Sequence, residues 1–190
     1  MKSGTRALGI AESTDDDSGR CTFCGAVVRA DRAVDGFAFA TATVGGLDGT
    51  DAVCTLVDRL DRPDVRYLFV SGVAPAWFNL LDLERIAAVA ERPVLSVSYE
   101  ASPGLAPALR EQFDGEALAS RLAVYDRLPP RRRLRVNDET VFVRSVELGD
   151  EDAARVVRAY TPAGGRPEPV RVARLAARGA RAWQAADAER

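Results

Sequence analysis

Apolar and alternating residues near the start of the chain predict three consecutive strands. Residues 7–11 form a short apolar run, and residues 22–29 form another after a turn at 15–19. Residues 34–44 place aromatic and threonine side chains on one face and alanine and valine on the other, which is the period-two pattern of a strand. The short link at 30–32 favours a β-meander, in which consecutive strands pair with one another.

The rest of the chain alternates between helical and strand patterns. Apolar residues at one-face spacing between 53 and 60 indicate a helix, and apolar runs at 66–71 and 94–98 indicate buried strands. Further helices are predicted at 78–90 with Asn79 as N-cap, around 116–125, at 150–159 and at 168–183, and an edge strand at 140–146. These elements predict a three-layer α/β fold with a mixed sheet of five or six strands flanked by helices, in the order typical of RNase H-like folds.

The length of 190 residues fits one domain, so residues 1–190 are interpreted as a single RNase H-like domain that includes a basic C-terminal helix at 168–184. No run approaches the roughly 18 apolar residues that a membrane span needs, and the first residues lack the apolar core of a signal peptide. Three cysteines fit a reducing compartment. We therefore expect a cytoplasmic protein with no membrane partner.

Composition narrows the chemistry. The chain has no histidine, which removes the commonest general base and metal ligand, so catalysis would rest on its 28 aspartates and glutamates. Lys2 is the only lysine, and the planar fork of the many arginines suits phosphate. Residues 1–128 carry a net charge of −6 and residues 129–190 a net charge of +4. This asymmetry fits an acidic metal site beside a phosphate-binding surface, and scattered solvated charge explains it equally well.

Several blocks of the sequence resemble the endonuclease dU family. The matching blocks are 8–13 (LGIAES), 34–36 (VDG), 43–52 (TVGGLDGTDA), 72–83 (GVAPAWFNLLDL), 92–94 (RPV) and 166–171 (RPEPVR). The resemblance implies a fold similar to endonuclease V, which is an RNase H-like nuclease that depends on Mg²⁺. It also implies nicking of DNA at deoxyuridine, the product of cytosine deamination, with Mg²⁺ or Mn²⁺ as cofactor.

Four acids are the candidates for catalysis: Glu12 at the predicted end of the first strand, Asp48 and Asp51 at the start of the first helix, and Asp82 in the block 72–83. Metal-dependent cleavage needs acids that converge at strand ends, and Glu12 and Asp51 are the predicted metal ligands. Each acid also has a structural interpretation. Glu12 fits a solvated strand end, and the three aspartates fit helix capping.

Three positions of the endonuclease V pattern are altered. The resemblance implies an aspartate, an aspartate and a lysine where this chain has Ala11, Ser71 and Tyr99. Either the site is displaced onto other acids, or the chain binds nucleic acid without cutting it. The acids of a displaced site would be Glu12, Asp51, Asp82 and Glu100.

Arginines of the C-terminal third are candidates for binding a phosphate backbone. A stripe on one face of the last helix and a cluster after Pro129-Pro130 give the predicted contacts Arg131, Arg132, Arg171, Arg174 and Arg178. A solvated helix face explains the stripe equally well.

A pocket for the damaged base is predicted from Trp77, Asn79 and Tyr99. An exposed aromatic ring after a strand end can stack on a base, although core packing is the more common role for such a ring. Cys21 and Cys24 form a single CxxC without a second pair, which does not provide four zinc ligands.

The predicted function is a metal-dependent endonuclease that nicks DNA at or near deaminated bases in DNA repair, with RNA as a further candidate substrate. The alternative is a non-catalytic nucleic-acid-binding protein with a degenerate RNase H-like site. A small-molecule enzyme would need a phosphate-binding glycine loop, and Gly45-Gly46 alone is too weak a signal for one.

Overall fold

The computed structural model describes residues 1–15 and 18–188, and a mixed sheet forms its centre. The strands are β1 (Arg6–Asp15), β2 (Arg20–Arg29), β3 (Val34–Thr43), β4 (Val65–Ser71), β5 (Val94–Ser98), β6 (Arg132–Val136) and β7 (Glu139–Val146). Their order across the sheet is β3-β2-β1-β4-β5-β7-β6. Because β1, β4 and β5 run parallel, their carboxyl ends meet at one edge, which we call the carboxyl edge.

Helices cover both faces of this sheet. They are α1 (Gly49–Leu60), α2 (Pro75–Phe78), α3 (Leu83–Ala90), α4 (Ala106–Gln112), α5 (Gly115–Arg127), α6 (Asp150–Ala159) and α7 (Glu168–Ala188). On one face Leu8, Ile10 and Phe23 pack with Leu56 of α1 and Ile86 of α3. Successive side chains of a strand point to opposite faces, so every second side chain of β1 is buried against α1 and α3.

The opposite face of β1 carries small residues, and α7 lies directly on it. A Cβ at Gly9 would lie 2.0 Å from the carbonyl carbon of Pro169, so only glycine permits this approach. Ala11 is buried in the same core, together with Ala173 of α7. The chain thus places an apolar side chain, in close contact with a helix, at the position where the resemblance implies an aspartate.

Several predicted elements need correction. The described residues form a sheet of seven strands rather than five or six, because the arginine-rich segment that forms β6 was not recognised as a strand. As a result β7 is not an edge strand and lies between β5 and β6. The short helix α4 was also missed.

Two further corrections concern the candidate site. The strand predicted at 7–11 extends to Asp15, so Glu12 lies inside β1 rather than at its end. The helix predicted from residue 78 begins at Leu83, and its N-cap is Asp82 rather than Asn79. The predicted turn at 15–19 falls partly outside the described residues. Within the described ranges, no helix combines the length and the apolar character needed to cross a membrane.

Candidate functional site

A cavity of about 580 Å³ opens at the carboxyl edge, beside the ends of β4 and β5. Its walls carry arginine, serine and tyrosine side chains from segments far apart in the sequence. They include Arg131, Arg144, Arg166, Arg174, Ser71, Ser98, Tyr99 and Tyr125. Ligands of open α/β sheets bind beyond the carboxyl ends of parallel strands, so this cavity is the candidate site.

Two of the arginines lie on the side of the cavity formed by β5 and β7. Arg131 donates to Ser98 Oγ at 3.1 Å and to Ser102 O at 3.3 Å, and its guanidinium lies 4.0 Å from the centre of the Phe142 ring. Arg144 projects from β7 and donates to the Pro129 carbonyl. Burial lowers the pKa of Arg131, and the nearby positive charge of Arg144 lowers it further.

The other two arginines come from the α7 side. The guanidinium of Arg166 stacks 4.6 Å from the centre of the Tyr99 ring, and Arg174 projects from α7. The Arg166 Nε and the Tyr99 hydroxyl are both buried and make no hydrogen bond of standard geometry among the described residues, although the Arg166 side chain lies close enough to favour the charged form of Tyr99. Burial raises the pKa of Tyr99, although Arg166 and Arg174 act in the opposite direction.

No ion pair neutralises these four arginines in the part of the chain that the structure describes. The carboxylate that lines the cavity belongs to the exposed Glu100. Several guanidinium groups around one cavity without carboxylate partners attract an anion, and phosphate oxygens match their donor geometry.

A strained turn lies next to the cavity. The residues Ala76, Trp77 and Phe78 of α2 have φ angles of 46°, 54° and 60°, which is left-handed backbone at three successive non-glycine positions. Such backbone costs about 1–2 kcal/mol per residue and occurs where the surroundings enforce it, often at functional sites. The turn presents Trp77 with 52% of its surface exposed, and the ring packs 5.1 Å from the ring of Phe113.

Arg121 of α5 holds this turn in place. It is buried, and it donates to Phe78 O at 3.2 Å, to Gly46 O at 3.2 Å and to the Gly45 carbonyl. Its guanidinium also lies 3.8 Å from the centre of the Phe113 ring. Arg121 therefore links the turn before Asn79 to the loop after β3, and backbone carbonyls satisfy its donors.

Asp48 and Asn79 form a hydrogen-bonded pair on the α1 side of the sheet. Asn79 is fully buried; it donates to Asp48 Oδ1 at 2.7 Å and accepts from the backbone N–H of Gly49 at 2.7 Å. Asp48 also accepts from Thr43 N and Thr43 Oγ1. Burial opposes ionisation of Asp48, but these donors outweigh it, so the pKa of Asp48 is lowered. Asn79, predicted to line a base pocket, here caps the start of α1.

Glu12 lies on the same side of the sheet, near a buried thiol. It accepts from Thr14 Oγ1 at 2.9 Å and lies 3.9 Å from Cys21 Sγ. Burial raises the pKa of Cys21 to about 12, with further contributions from the charges of Glu12 and Asp48. Glu12 and Asp48 thus act on one common neighbour.

Asp51 and Asp82 have partners elsewhere. Asp51 is largely exposed on α1 and pairs with Arg85 at 2.6 Å. Asp82 accepts from the backbone N–H of Arg85 at 3.1 Å, as the N-cap of α3, and pairs with Arg127 at 2.8 Å. Both acids connect helices on the α1–α3 face, and neither lines the cavity.

The acidic side chains in the described part of the chain do not form a metal site made of several carboxylates. Within residues 1–15 and 18–188, no group of three or more His, Cys, Asp or Glu side chains could hold a metal ion. The three altered positions explain part of this. Ala11 is buried beneath α7, Ser71 offers a hydroxyl, and Tyr99 lies under Arg166.

The predicted phosphate-binding arginines are separated by the fold. Arg131 and Arg174 line the cavity, whereas Arg132 pairs with Asp150 at 3.2 Å and Arg171 pairs with Glu168 at 2.6 Å. Arg178 is exposed on α7.

Two cavity arginines were missed. Arg166 lies in the block 166–171, so the signal was present, but no role was assigned to it. Arg144 lies on β7, on the strand face opposite to the buried Val141 and Val143, so alternation along the strand gave no signal that it lines a cavity.

Comparison with known proteins places these features in a family. The family model described as endonuclease dU matches residues 3–181. A UPF0215 protein of Pyrobaculum calidifontis is 32% identical over 178 residues, covering 93% of this chain and 97% of the relative. A UPF0215 protein of Thermococcus kodakarensis is 32% identical over 185 residues, covering 93% of this chain and 92% of the relative.

Solved structures show the fold. A protein of unknown function from Archaeoglobus fulgidus superposes with a TM-score of 0.80 at 27% identity, over 90% of this chain and 95% of that one. Human ENDOV superposes with a TM-score of 0.67 at 16% identity, over 95% of this chain and 86% of that one. Endonuclease V of Ciona intestinalis, solved in complex with a 24mer DNA containing an inosine, superposes with a TM-score of 0.59 at 12% identity. The match covers 92% of this chain and 84% of that one. The predicted endonuclease V-like α/β fold is confirmed.

Proposed function

Because this chain belongs to the endonuclease dU family, we propose that it acts on nucleic acid as a nuclease-type protein and binds a phosphate of its substrate in the carboxyl-edge cavity. The observation that carries the proposal is the set of four arginines that line this cavity without carboxylate partners in the described part of the chain. Their forks can donate in pairs to phosphate oxygens and neutralise the charge on the phosphate.

DNA is the proposed partner, with RNA as the second candidate. Proteins of the same fold support this, since the Ciona intestinalis endonuclease V was solved with an inosine-containing DNA. The exposed ring of Trp77 lies on the strained turn that follows the cavity-lining Ala74, and we propose that it stacks on an unpaired base of the bound strand. Stacking and phosphate binding together would place a distorted nucleotide at this edge.

The finer proposal is nicking of DNA at or near deoxyuridine with Mg²⁺ or Mn²⁺, and family membership supports it. The described acids do not form a group that fits such an ion, so we derive no step through a metal. The four candidate acids fall into two pairs: Glu12 and Asp48 both act on Cys21, and Asp51 and Asp82 both contact Arg85. The second candidate function is therefore nucleic-acid binding without cleavage, which the altered positions Ala11, Ser71 and Tyr99 favour.

A combined binding and nicking assay separates these functions. Duplexes that contain uracil, hypoxanthine or no damage are incubated with the protein in Mg²⁺, in Mn²⁺ and in EDTA. Binding in all three buffers with nicking of the uracil duplex in metal alone would support the endonuclease. Binding without nicking would support the second candidate function, nucleic-acid binding without cleavage. Absence of binding would overturn both functions.

Single variants then test the acids. If the predicted acids catalyse, Glu12→Gln or Asp51→Asn abolishes nicking while binding is retained. Asp138→Asn, which removes an exposed acid in the turn between β6 and β7, is the matched control. Nicking that survives both variants would remove Glu12 and Asp51 from the active site.

A further inference from the structure

The charge around the carboxyl-edge cavity exceeds what one backbone phosphate neutralises. Arg131, Arg144, Arg166 and Arg174 line it, and among the described residues none of them is ion-paired. Each phosphodiester of a nucleic acid carries a single negative charge. A phosphate monoester carries about 1.5 to 2 negative charges near neutral pH and has three oxygens free to accept hydrogen bonds. The monoester is the better match to four guanidinium groups.

Unused donors point to the same ligand. The Arg166 Nε and the Tyr99 hydroxyl are buried, and beyond the contact of these two side chains with each other they have no hydrogen-bond partner in the described structure; both residues line the cavity. Buried polar groups in native proteins nearly always have partners, so an unsatisfied pair at the wall of a cavity indicates a missing acceptor. Both atoms are covered in the described structure, so a terminal phosphate brings an oxygen acceptor to them only when the Arg166 and Tyr99 side chains turn toward the cavity.

The cavity has room for a ligand larger than a phosphate ion. A volume of about 580 Å³ is much larger than a phosphate ion and falls in the range of small-ligand pockets. Tyr125 and the serines at 96, 98 and 102 also line it, and they provide a ring and hydroxyl groups for a sugar and base. The cavity thus suits a whole nucleotide rather than an inorganic anion.

We propose that the carboxyl-edge cavity binds the terminal phosphate monoester of a nucleotide, with Arg166 and Arg174 as its main contacts. This inference rests on the proposed function, because it takes the end of a nucleic acid strand as the source of that nucleotide. A free mononucleotide offers the same chemistry, and the experiment separates the two sources.

The test compares strand ends in the intact chain. Binding is measured in EDTA for short DNA oligonucleotides of one sequence with a 5′-phosphate, a 3′-phosphate or hydroxyl groups at both ends. A deoxynucleoside 5′-monophosphate and inorganic phosphate serve as competitors. We expect one phosphorylated end to bind about tenfold more tightly than the hydroxyl-ended strand, since charge-assisted bonds from two arginines act on it.

Variants assign the preference to the cavity. Arg166→Gln and Arg174→Gln should each reduce the preference for the phosphorylated end to about twofold or less. Arg110→Gln removes the same charge from an exposed position on α4 and should retain the preference. Thermal unfolding of each variant checks the fold, and Arg174→Gln alone carries the test if Arg166→Gln does not fold.

The outcomes separate this inference from the proposed function. If all strands bind equally, the cavity does not read a terminal phosphate and the inference falls, while nucleic-acid binding stands. If the mononucleotide binds and no oligonucleotide does, the phosphate site stands with a free nucleotide as its ligand, and the proposed function falls. If no phosphate compound binds, both fall.

Discussion

The acids on the α1 face and the arginines of the carboxyl-edge cavity lie at the same end of the sheet, but their hydrogen bonding differs. Asp48 uses both carboxylate oxygens within the fold, and Asp82 caps a helix and pairs with Arg127. Arg166 and Arg174 have no carboxylate partner in the described structure, and the Arg166 Nε makes no hydrogen bond of standard geometry there. Polar groups that the fold already satisfies stabilise it, whereas unsatisfied groups at a cavity are available to a ligand.

This comparison changes the site that the sequence suggests. An acidic metal centre was predicted at the ends of the strands, and the described structure places an arginine cavity there. Three predictions test whether satisfied and unsatisfied groups behave as differently as the structure indicates.

The largest effect is expected for Arg121→Met. Arg121 also lacks a carboxylate partner, but its donors are used by the carbonyls of Gly45, Gly46 and Phe78. Loss of these bonds should lower the free energy of unfolding by about 3 kcal/mol. Urea denaturation measures this, and fluorescence in a Trp183→Phe background reports on Trp77.

The control for this prediction is Arg110→Met, at an exposed position of α4. It should change the free energy of unfolding by less than about 0.5 kcal/mol. A loss below about 1 kcal/mol for Arg121→Met would mean that carbonyl contacts do not hold the strained turn.

A smaller, pH-dependent effect is expected for Asp48→Asn. The folded-state pKa of Asp48 is lowered by the donors Asn79 and Thr43 despite burial, so its charged form favours the folded state. That stabilisation is fully present above the ordinary carboxyl pKa of about 4 and is lost as pH falls through the lowered value. Asp48→Asn should therefore cost about 1 kcal/mol at neutral pH, and the difference from the wild type should shrink in acid.

Urea denaturation between neutral and acidic pH measures this difference, with Asp138→Asn as the exposed control. A difference that stays constant with pH would show that the charge of Asp48 is not what the hydrogen bonds stabilise.

The smallest effect concerns two arginines of α7. Arg174 lines the cavity, whereas Arg171 pairs with Glu168 at 2.6 Å. Arg174→Gln should lower the slope of log affinity for duplex DNA against log salt concentration by about 0.9 for one lost phosphate contact. Arg171→Gln should leave the slope nearly unchanged. Equal changes in both variants would mean that the whole helix face binds DNA.

Strand and helix positions followed well from local pattern, and the errors have specific causes. The helix over Asp150–Ala159 and the strand over Val94–Ser98 were predicted with their observed bounds. The strand β6 was missed because Arg132, Arg133 and Arg135 hide its pattern at the sheet edge. The start of α3 was misplaced because the left-handed backbone at Ala76–Phe78 cannot be inferred from residues that rarely adopt it.

The candidate site was only partly predictable. Arg131 and Arg174 were predicted as phosphate contacts and line the cavity, but Arg144 and Arg166 join them from other segments. Asn79 was assigned to a base pocket, and the structure instead buries it as a link between Asp48 and the start of α1. Neither outcome follows from spacing along the chain, because each depends on segments about thirty or more residues apart.

The sequence by itself determined the α/β class, the order of most elements and the family, because these depend on local periodicity and on contiguous blocks such as 43–52 and 72–83. It also established that no histidine takes part and that the arginines predicted to bind phosphate lie late in the chain. Only the tertiary structure decided which charges remain available. The fold neutralises Asp51 with Arg85 and Arg171 with Glu168, and it leaves four arginines around one cavity. A charge becomes a binding group only when packing brings it to a cavity and provides no opposite charge within the protein.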